Sequence, residues 1–219
     1  MKIYHFSDNH GSFDKLSIFV RTYGRPDVFV MTGDFVPDSI THFETSKAAH
    51  ASWQEGWMLK NIDEFKAIVK DVPVLFVPGN HDFADLGKSL KKADINATEV
   101  TPTGIDALGY RWAGYGHVPT INGMFMREAT DNRLSSLTDL VIEAAPDFLL
   151  THAPPYGILD KSASGARFGN KPLYKALANG SLAPRYHFFG HIHKQGRQIE
   201  QIDGVTFVNS ATTVQKVEI

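Results

Sequence analysis

Short apolar runs alternate along this chain with amphipathic stretches. Residues 2–7, 27–32, 74–77, 148–151 and 186–190 are rich in β-branched and aromatic side chains, and their near-continuous hydrophobicity predicts strands buried on both faces. Between several of them the apolar positions recur at helical spacing. Residues 12–21 place Phe13, Leu16, Phe19 and Val20 on one side, and residues 53–70 continue similarly through Trp57, Leu59, Ile62, Phe65 and Val69, a period of about 3.6 that predicts amphipathic helices. A further helix is predicted over 134–143, closed by Ala144-Ala145-Pro146. Residues 104–115 read as a strand with a glycine-marked bend. The last runs, 197–202, 205–210 and 214–219, read as short strands, the first two joined by the hairpin signal Asp203-Gly204.

Strand–helix alternation followed by hairpin-linked strands predicts an α/β domain: two stacked, mixed β-sheets flanked by helices, an α+β four-layer arrangement. No repeat, low-complexity run or Pro/Gly/Ser linker divides the 219 residues, so a single domain over 1–219 is expected.

Each of the five early strands ends in a polar cluster. These are Asp8-Asn9-His10-Gly11, Gly33-Asp34, Gly79-Asn80-His81-Asp82, Thr151-His152-Ala153-Pro154-Pro155 and Gly190-His191-Ile192-His193. Ligands of open α/β sheets bind beyond the carboxyl ends of the strands, so all five clusters are expected on one edge. Asp8 and His10, like His191 and His193, are two apart, and in an extended segment both members of a pair would face one way. Glycines beside them suit close backbone approach. Cysteine is absent, so a metal would be held by imidazole, carboxylate and amide oxygen, donors that suit hard-to-borderline divalent ions. Asp34, central in this order, is the natural bridging carboxylate.

The set Asp8-x-His10, Gly33-Asp34, Gly79-Asn80-His81-Asp82, His152 and Gly190-His191-x-His193 resembles the complete signature of the calcineurin-like metallophosphoesterase family. That resemblance implies a β-sandwich flanked by helices with a dinuclear site at the strand ends. It implies Asp8, His10 and His193 on one ion, Asn80, His152 and His191 on the other, and Asp34 between them. His81 would face the substrate phosphate as the candidate catalytic residue, with Asp82 orienting its ring. The implied cofactors are two divalent metal ions, Mn²⁺ foremost, with Fe, Zn, Co or Ni open. Two such ions less two carboxylates leave the site about two positive charges, which suits a phosphate ester. In-line attack by a metal-bound hydroxide is the expected chemistry, with His81 stabilising the transition state or protonating the leaving oxygen.

Residues 151–160, Thr-His-Ala-Pro-Pro-x-Gly-x-x-Asp, resemble a small-phosphodiesterase branch of the family that includes cyclic-nucleotide-hydrolysing members. Protein serine/threonine phosphatases carry Gly-Asp-x-x-Asp-Arg-Gly and Gly-Asn-His-Glu, which Gly33-Asp34-Phe35-Val36-Pro37-Asp38 and Asp82 do not match. A small-molecule or nucleotide phosphodiester is therefore the expected substrate. A nuclease or phosphomonoesterase on the same site is the alternative, and a non-catalytic scaffold of this fold is the remaining one. The formal net charge of −2 lacks the basic footprint of a nucleic-acid binder. No run reaches the roughly 18 apolar residues of a membrane span. Lys2-Ile3-Tyr4-His5-Phe6 already reads as strand, leaving no room for a signal peptide's apolar region, so a cytoplasmic protein is expected.

Substrate choice must come from segments outside these motifs. Residues 35–60 carry Trp53 and Trp57, expected to pack in the core or a lid. Residues 154–171 form a long loop in which Arg167 is a candidate phosphate clamp and Phe168 a candidate stacking platform. His117, after a predicted strand, is a third candidate for the cleft. His5 and His187 fall within strands and read as core histidines; His42 and His50 read as solvent-facing.

Overall fold

A computed structural model describes residues 1–39, 41 and 46–219. In the first sheet β1 (Lys2–Phe6), β2 (Val28–Thr32), β3 (Val74–Val77) and β4 (Ala97–Glu99) run parallel, and β13 (Val214–Glu218) lies antiparallel beside β1. The second sheet contains β5 (Ile105–Ala107), β6 (Tyr110–Tyr115), β9 (Phe148–Thr151), β10 (Tyr186–Phe189), β11 (Gln198–Ile202) and β12 (Val205–Asn209). Its order is β11-β12-β10-β9-β6-β5, with parallel inner strands and antiparallel edges. β7 (Val118–Pro119) and β8 (Glu128–Ala129) form a separate short pair.

The apolar runs are continuous because both faces of each sheet are covered. Ile3, Val28, Val30, Leu75 and Val77 meet Trp112, Phe148, Leu150, Phe188 and Val208 between the sheets. Their neighbours Tyr4, Phe6, Phe29, Met31 and Phe76 project to the opposite face, the period-two alternation of a strand. There they pack under α1 (Asp14–Tyr23), α2 (Lys47–Val69) and α3 (Leu86–Lys92) through Leu16, Phe65 and Leu90. On the far side, Ala113, Tyr115 and Leu149 pack under α4 (Asp131–Ala144) and α5 (Lys171–Ala178) through Leu134, Val141 and Leu173. The result is the expected four layers.

Several boundaries differ from the sequence reading. α2 begins at Lys47 rather than near 53, because Ser46 caps it by accepting the Ala49 N–H. Residues 104–115 form a hairpin instead of one bent strand, turning at Leu108 (φ 55°) and Gly109 (φ 80°). α3, α5, β4, β7 and β8 are too short to announce themselves by periodicity. The Asp203-Gly204 hairpin forms as expected, both residues left-handed at φ 49° and 82°. His42 lies outside the described residues. Among the described residues no helix is long and apolar enough to cross a membrane.

Candidate metal centre

The chain leaves its strands abruptly at the carboxyl edge. Asp8 (φ 56°), His10 (φ 45°), Asp34 (φ 53°) and His191 (φ 64°) all adopt the left-handed conformation, which costs a non-glycine residue roughly 1–2 kcal/mol. Backbone bonds between the loops hold them there: Asp8 N–H to Gly33 C=O (3.0 Å), His10 N–H to Asp34 C=O (3.0 Å) and Gly11 N–H to Phe35 C=O (2.8 Å). Two glycines make room for the carboxylates. A Cβ on Gly79 would lie 2.1 Å from Asp34 Oδ1, and one on Gly190 would lie 2.2 Å from Asp8 Oδ2.

These loops bring six of the seven nominated metal ligands together in two groups, and a third, overlapping group joins His10 to Asp38 and His81. The ligand atoms of Asp8, His10 and His193 lie within 4.8 Å of one another, and so do those of Asp34, His152 and His191. Asp34 Oδ2 stands 3.2 Å from His152 Nε2 and 3.9 Å from His10 Nε2, so one oxygen faces both groups. Its Oδ1 accepts the His81 N–H at 2.8 Å. Asp8 is held the same way: Oδ1 lies 3.0 Å from His193 Nε2, while Oδ2 accepts the His191 N–H at 2.9 Å. Asn80 Oδ1 lies 2.9 Å from His152 Nε2.

Neither pair spaced by two is extended as expected: Asp8 and His10 are both left-handed, although they still join one group. His191 is left-handed and His193 opens a 3₁₀ turn, His193–Gln195. The segment is not extended, and the two rings join different groups.

The donors fit divalent ions. His152 Nδ1–H donates to the Thr32 carbonyl at 2.6 Å, which fixes the tautomer. Its Nε2 lone pair then faces the Asn80 and Asp34 oxygens, an arrangement that repels unless positive charge lies among them. Burial alone would lower the His152 pKa, but the Asp34 carboxylate outweighs it and pushes the ring up to about 9. A proton there answers the demand a cation would meet. Burial resists ionisation of Asp34, yet His152 beside it holds its carboxyl well below the usual range. His191 is pushed down to about 4 by burial and by His152, which keeps it neutral and able to ligate.

His81 lies beside these groups, its ring centroid 5.2 Å from that of His10. Its ring partner is Asp38, with Oδ2 2.5 Å from His81 Nδ1. Asp82 does not orient the ring, contrary to the sequence expectation. Its Oδ1 accepts the Phe35 and Val36 N–H groups (2.8 and 3.1 Å), and Oδ2 accepts the Gly79 N–H (2.7 Å). Buried backbone donors at the crossing of two loops need an acceptor, and Asp82 fills that need. Asp38 and Gln54, unread as site residues, both contact the His81 loop. Their only sequence signal was position: Asp38 is four residues past Asp34, and Gln54 lies on the helix that follows.

The proposed substrate residues fare differently. Arg167 forms an ion pair with buried Asp160 and lies 5.8 Å from the Tyr156 ring centre. Half-buried Phe168 donates its N–H to the Asp160 carbonyl at 3.2 Å. Arg167 and the Phe168 backbone thus brace their own loop, and the Arg167 guanidinium expected to clamp a phosphate is paired with Asp160. That loop still adjoins the site edge, since Lys161 N–H donates to Gln195 Oε1 at 2.5 Å. His117 is half-buried, its pKa lowered to about 4 by burial and by Arg127 and Arg133. Arg127 in turn donates to the Gly79 and Asp82 carbonyls. Phe125 packs against His81 with ring centroids 4.5 Å apart.

Among the other histidines, His5 and His187 are core residues as expected. His5 bonds Thr32 Oγ1 (2.9 Å) and Ser210 Oγ (2.7 Å), and His187 bonds Thr151 Oγ1 (2.7 Å). His50 is fully buried rather than solvent-facing, because the earlier start of α2 turns it inward. Trp57 packs against the helix-side core, and Trp53 stacks near His50.

An uncharacterized protein of Methanocaldococcus jannaschii is 28% identical to this chain over 217 residues, covering 95% of this chain and 87% of that protein. A UPF0046 protein of Caenorhabditis elegans is 28% identical over 155 residues, 63% of this chain, and the chain spans about half (51%) of that protein's length. A solved crystal structure, 17% identical, superposes with a TM-score of 0.70 over 99% of this chain and 98% of its own, which shows a shared fold. The family model for calcineurin-like phosphoesterases matches residues 1–195, a span that holds both ligand groups and His81. The chain belongs to the calcineurin-like phosphoesterase family.

Proposed function

We propose that this protein is a two-metal phosphodiesterase acting on a small-molecule or nucleotide phosphodiester. The observation that carries this reading is Asp34 Oδ2, which faces a histidine from each ligand group. Asp8, His10 and His193 would hold one ion and Asn80, His152 and His191 the other, with Asp34 between. Two divalent ions there would supply the charge that polarises a phosphoryl oxygen and acidifies a water. His81, held through Nδ1 by Asp38, has Nε2 to offer the phosphate or the leaving oxygen.

Two divalent ions bring four positive charges, of which Asp8 and Asp34 remove two. Asp38 adds little to this count, because its charge is matched by His81, where burial would lower the pKa but the Asp38 carboxylate raises it. A site left with about two positive charges suits a phosphate ester, and turnover decides between diester and monoester. The test is turnover of bis(p-nitrophenyl) phosphate against p-nitrophenyl phosphate after chelation and restoration of Mn²⁺. Faster diester turnover supports the reading. A monoester preference would shift it to a phosphomonoesterase, and no turnover of either with any divalent metal would leave a non-catalytic scaffold.

A further inference from the structure

α2 carries two fully buried polar side chains, His50 and Gln54, against the loops that present His81. They are four residues apart and so share one helix face. Lower on the same helix the buried positions are Met58, Ile62 and Phe65, the apolar types that sheet packing asks for. An imidazole and an amide buried instead cost free energy unless their polar atoms are paired.

Gln54 spends all the hydrogen-bonding capacity of its amide. Oε1 accepts the Phe83 and Ala84 N–H groups (2.8 and 3.0 Å), and Nε2 donates to the carbonyls of Pro37 (3.1 Å) and His81 (2.8 Å). Two backbone donors on one end and two backbone acceptors on the other fix which way the amide points. Gln54 Nε2 also stands 3.3 Å from His50 Nε2, but both its hydrogens are committed. The proton on His50 Nε2 therefore points to Asp38 Oδ1, 3.1 Å away. Asp38 Oδ2 takes the Nδ1 proton of His81. An ionised carboxylate only accepts, so each ring must donate through the nitrogen that faces it. That leaves Nε2 as the His81 nitrogen available to a substrate.

We propose that His50 and Gln54 are positioning residues for His81. His50 holds Asp38 in the rotamer that sets the His81 tautomer, and Gln54 ties the 37–38 turn to the 81–84 loop so that the ring and its partner stay in register. The proposal rests on the reading of His81 as the residue that meets the phosphoryl group.

A double-mutant cycle on the Mn²⁺-loaded protein tests it, with bis(p-nitrophenyl) phosphate as substrate. His50→Leu should lower kcat about tenfold with KM changed less than about twofold, and His50→Gln, which keeps a donor, should restore most of the loss. In a His81→Ala background, His50→Leu should lower kcat by no more than about twofold, because the group it positions is gone. Bound metal, read by elemental analysis, should be equal in all four proteins. If His50→Leu does not fold, Gln54→Glu, which keeps the acceptor and loses the paired donors, enters the same cycle with the same expectation. Losses that simply multiply in the double variant, or no loss in the single one, would overturn the proposal. A wild-type protein that binds metal yet turns over no diester would instead overturn the phosphodiesterase reading on which it stands.

Discussion

Asp38 and Asp82 are both carboxylates beside the His81 loop, yet their partners give them opposite expected phenotypes. Asp38 bonds two imidazoles and no backbone amide among the described contacts, whereas Asp82 is buried and bonds three backbone N–H groups. Asp38→Asn should therefore lower turnover about 10²-fold, with the melting temperature nearly unchanged. Asp82→Asn should cost about 1–3 kcal/mol of stability, since an amide cannot accept at both ends. Urea titration beside a turnover assay separates the two. If Asp82→Asn were stable and inactive, the assignment of the backbone role would fail. Candidate ligands were legible residue by residue, because each motif follows a strand directly. The ring partner was not, because Asp38 and His81 are 43 residues apart and only the fold of the turn at Pro37 brings them together.

Among elements, the loops at the strand ends do the most specific work. Gly79 is packed so closely on Asp34 that a methyl group would displace its carboxylate. On the proposed two-metal reading, Gly79→Ala should bind less metal than the wild type, and elemental analysis after dialysis would show it. Metal content equal to that of the wild type would argue against the bridging role proposed for Asp34. α5 supplies a second element-level test. Asn170 caps it by accepting the Leu173 N–H at 3.1 Å, and also donates to the buried Tyr115 hydroxyl at 2.9 Å. Asn170→Ala should cost about 1 kcal/mol for the cap and about 1 kcal/mol for the lost bond to Tyr115, whose hydroxyl keeps Thr138 Oγ1 as a partner at 3.0 Å, without altering KM. The long periodic elements were readable in advance, since burial on one face leaves a pattern. α3 and α5 were not, because one or two turns give too few repeats for a period to emerge.

Over the whole molecule, burial decides the response to acid. His187 is fully buried, and burial, aided by His5, lowers its pKa to about 3, against about 6.5 in an unfolded chain. The unfolded state therefore takes up a proton in that window and the folded state does not. The contribution of this ring to stability is full above about pH 6.5 and is lost as pH falls toward 3, with a slope of about 1.4 kcal/mol per pH unit. His187→Asn should flatten the pH dependence of urea unfolding by about that amount between pH 6 and 4. An unchanged slope would mean that the ring titrates while folded.

The long strands and helices, the two-faced burial of the sheets and the candidate ligands were all readable from the sequence itself, since apolar period and strand-end motifs are properties of a few consecutive residues. The tertiary structure alone decided which Asp34 oxygen faces both groups, that Asp38 rather than Asp82 holds His81, that Arg167 is spent on Asp160, and that His50 and Gln54 reach the site. Most of these are choices among partners separated in the chain, 43 residues in the case of Asp38 and His81, and even the seven residues between Asp160 and Arg167 are spanned by a loop with no periodic pattern. Hydrogen bonds tolerate only a few tenths of an ångström, so such choices depend on how the loops cross rather than on any local pattern.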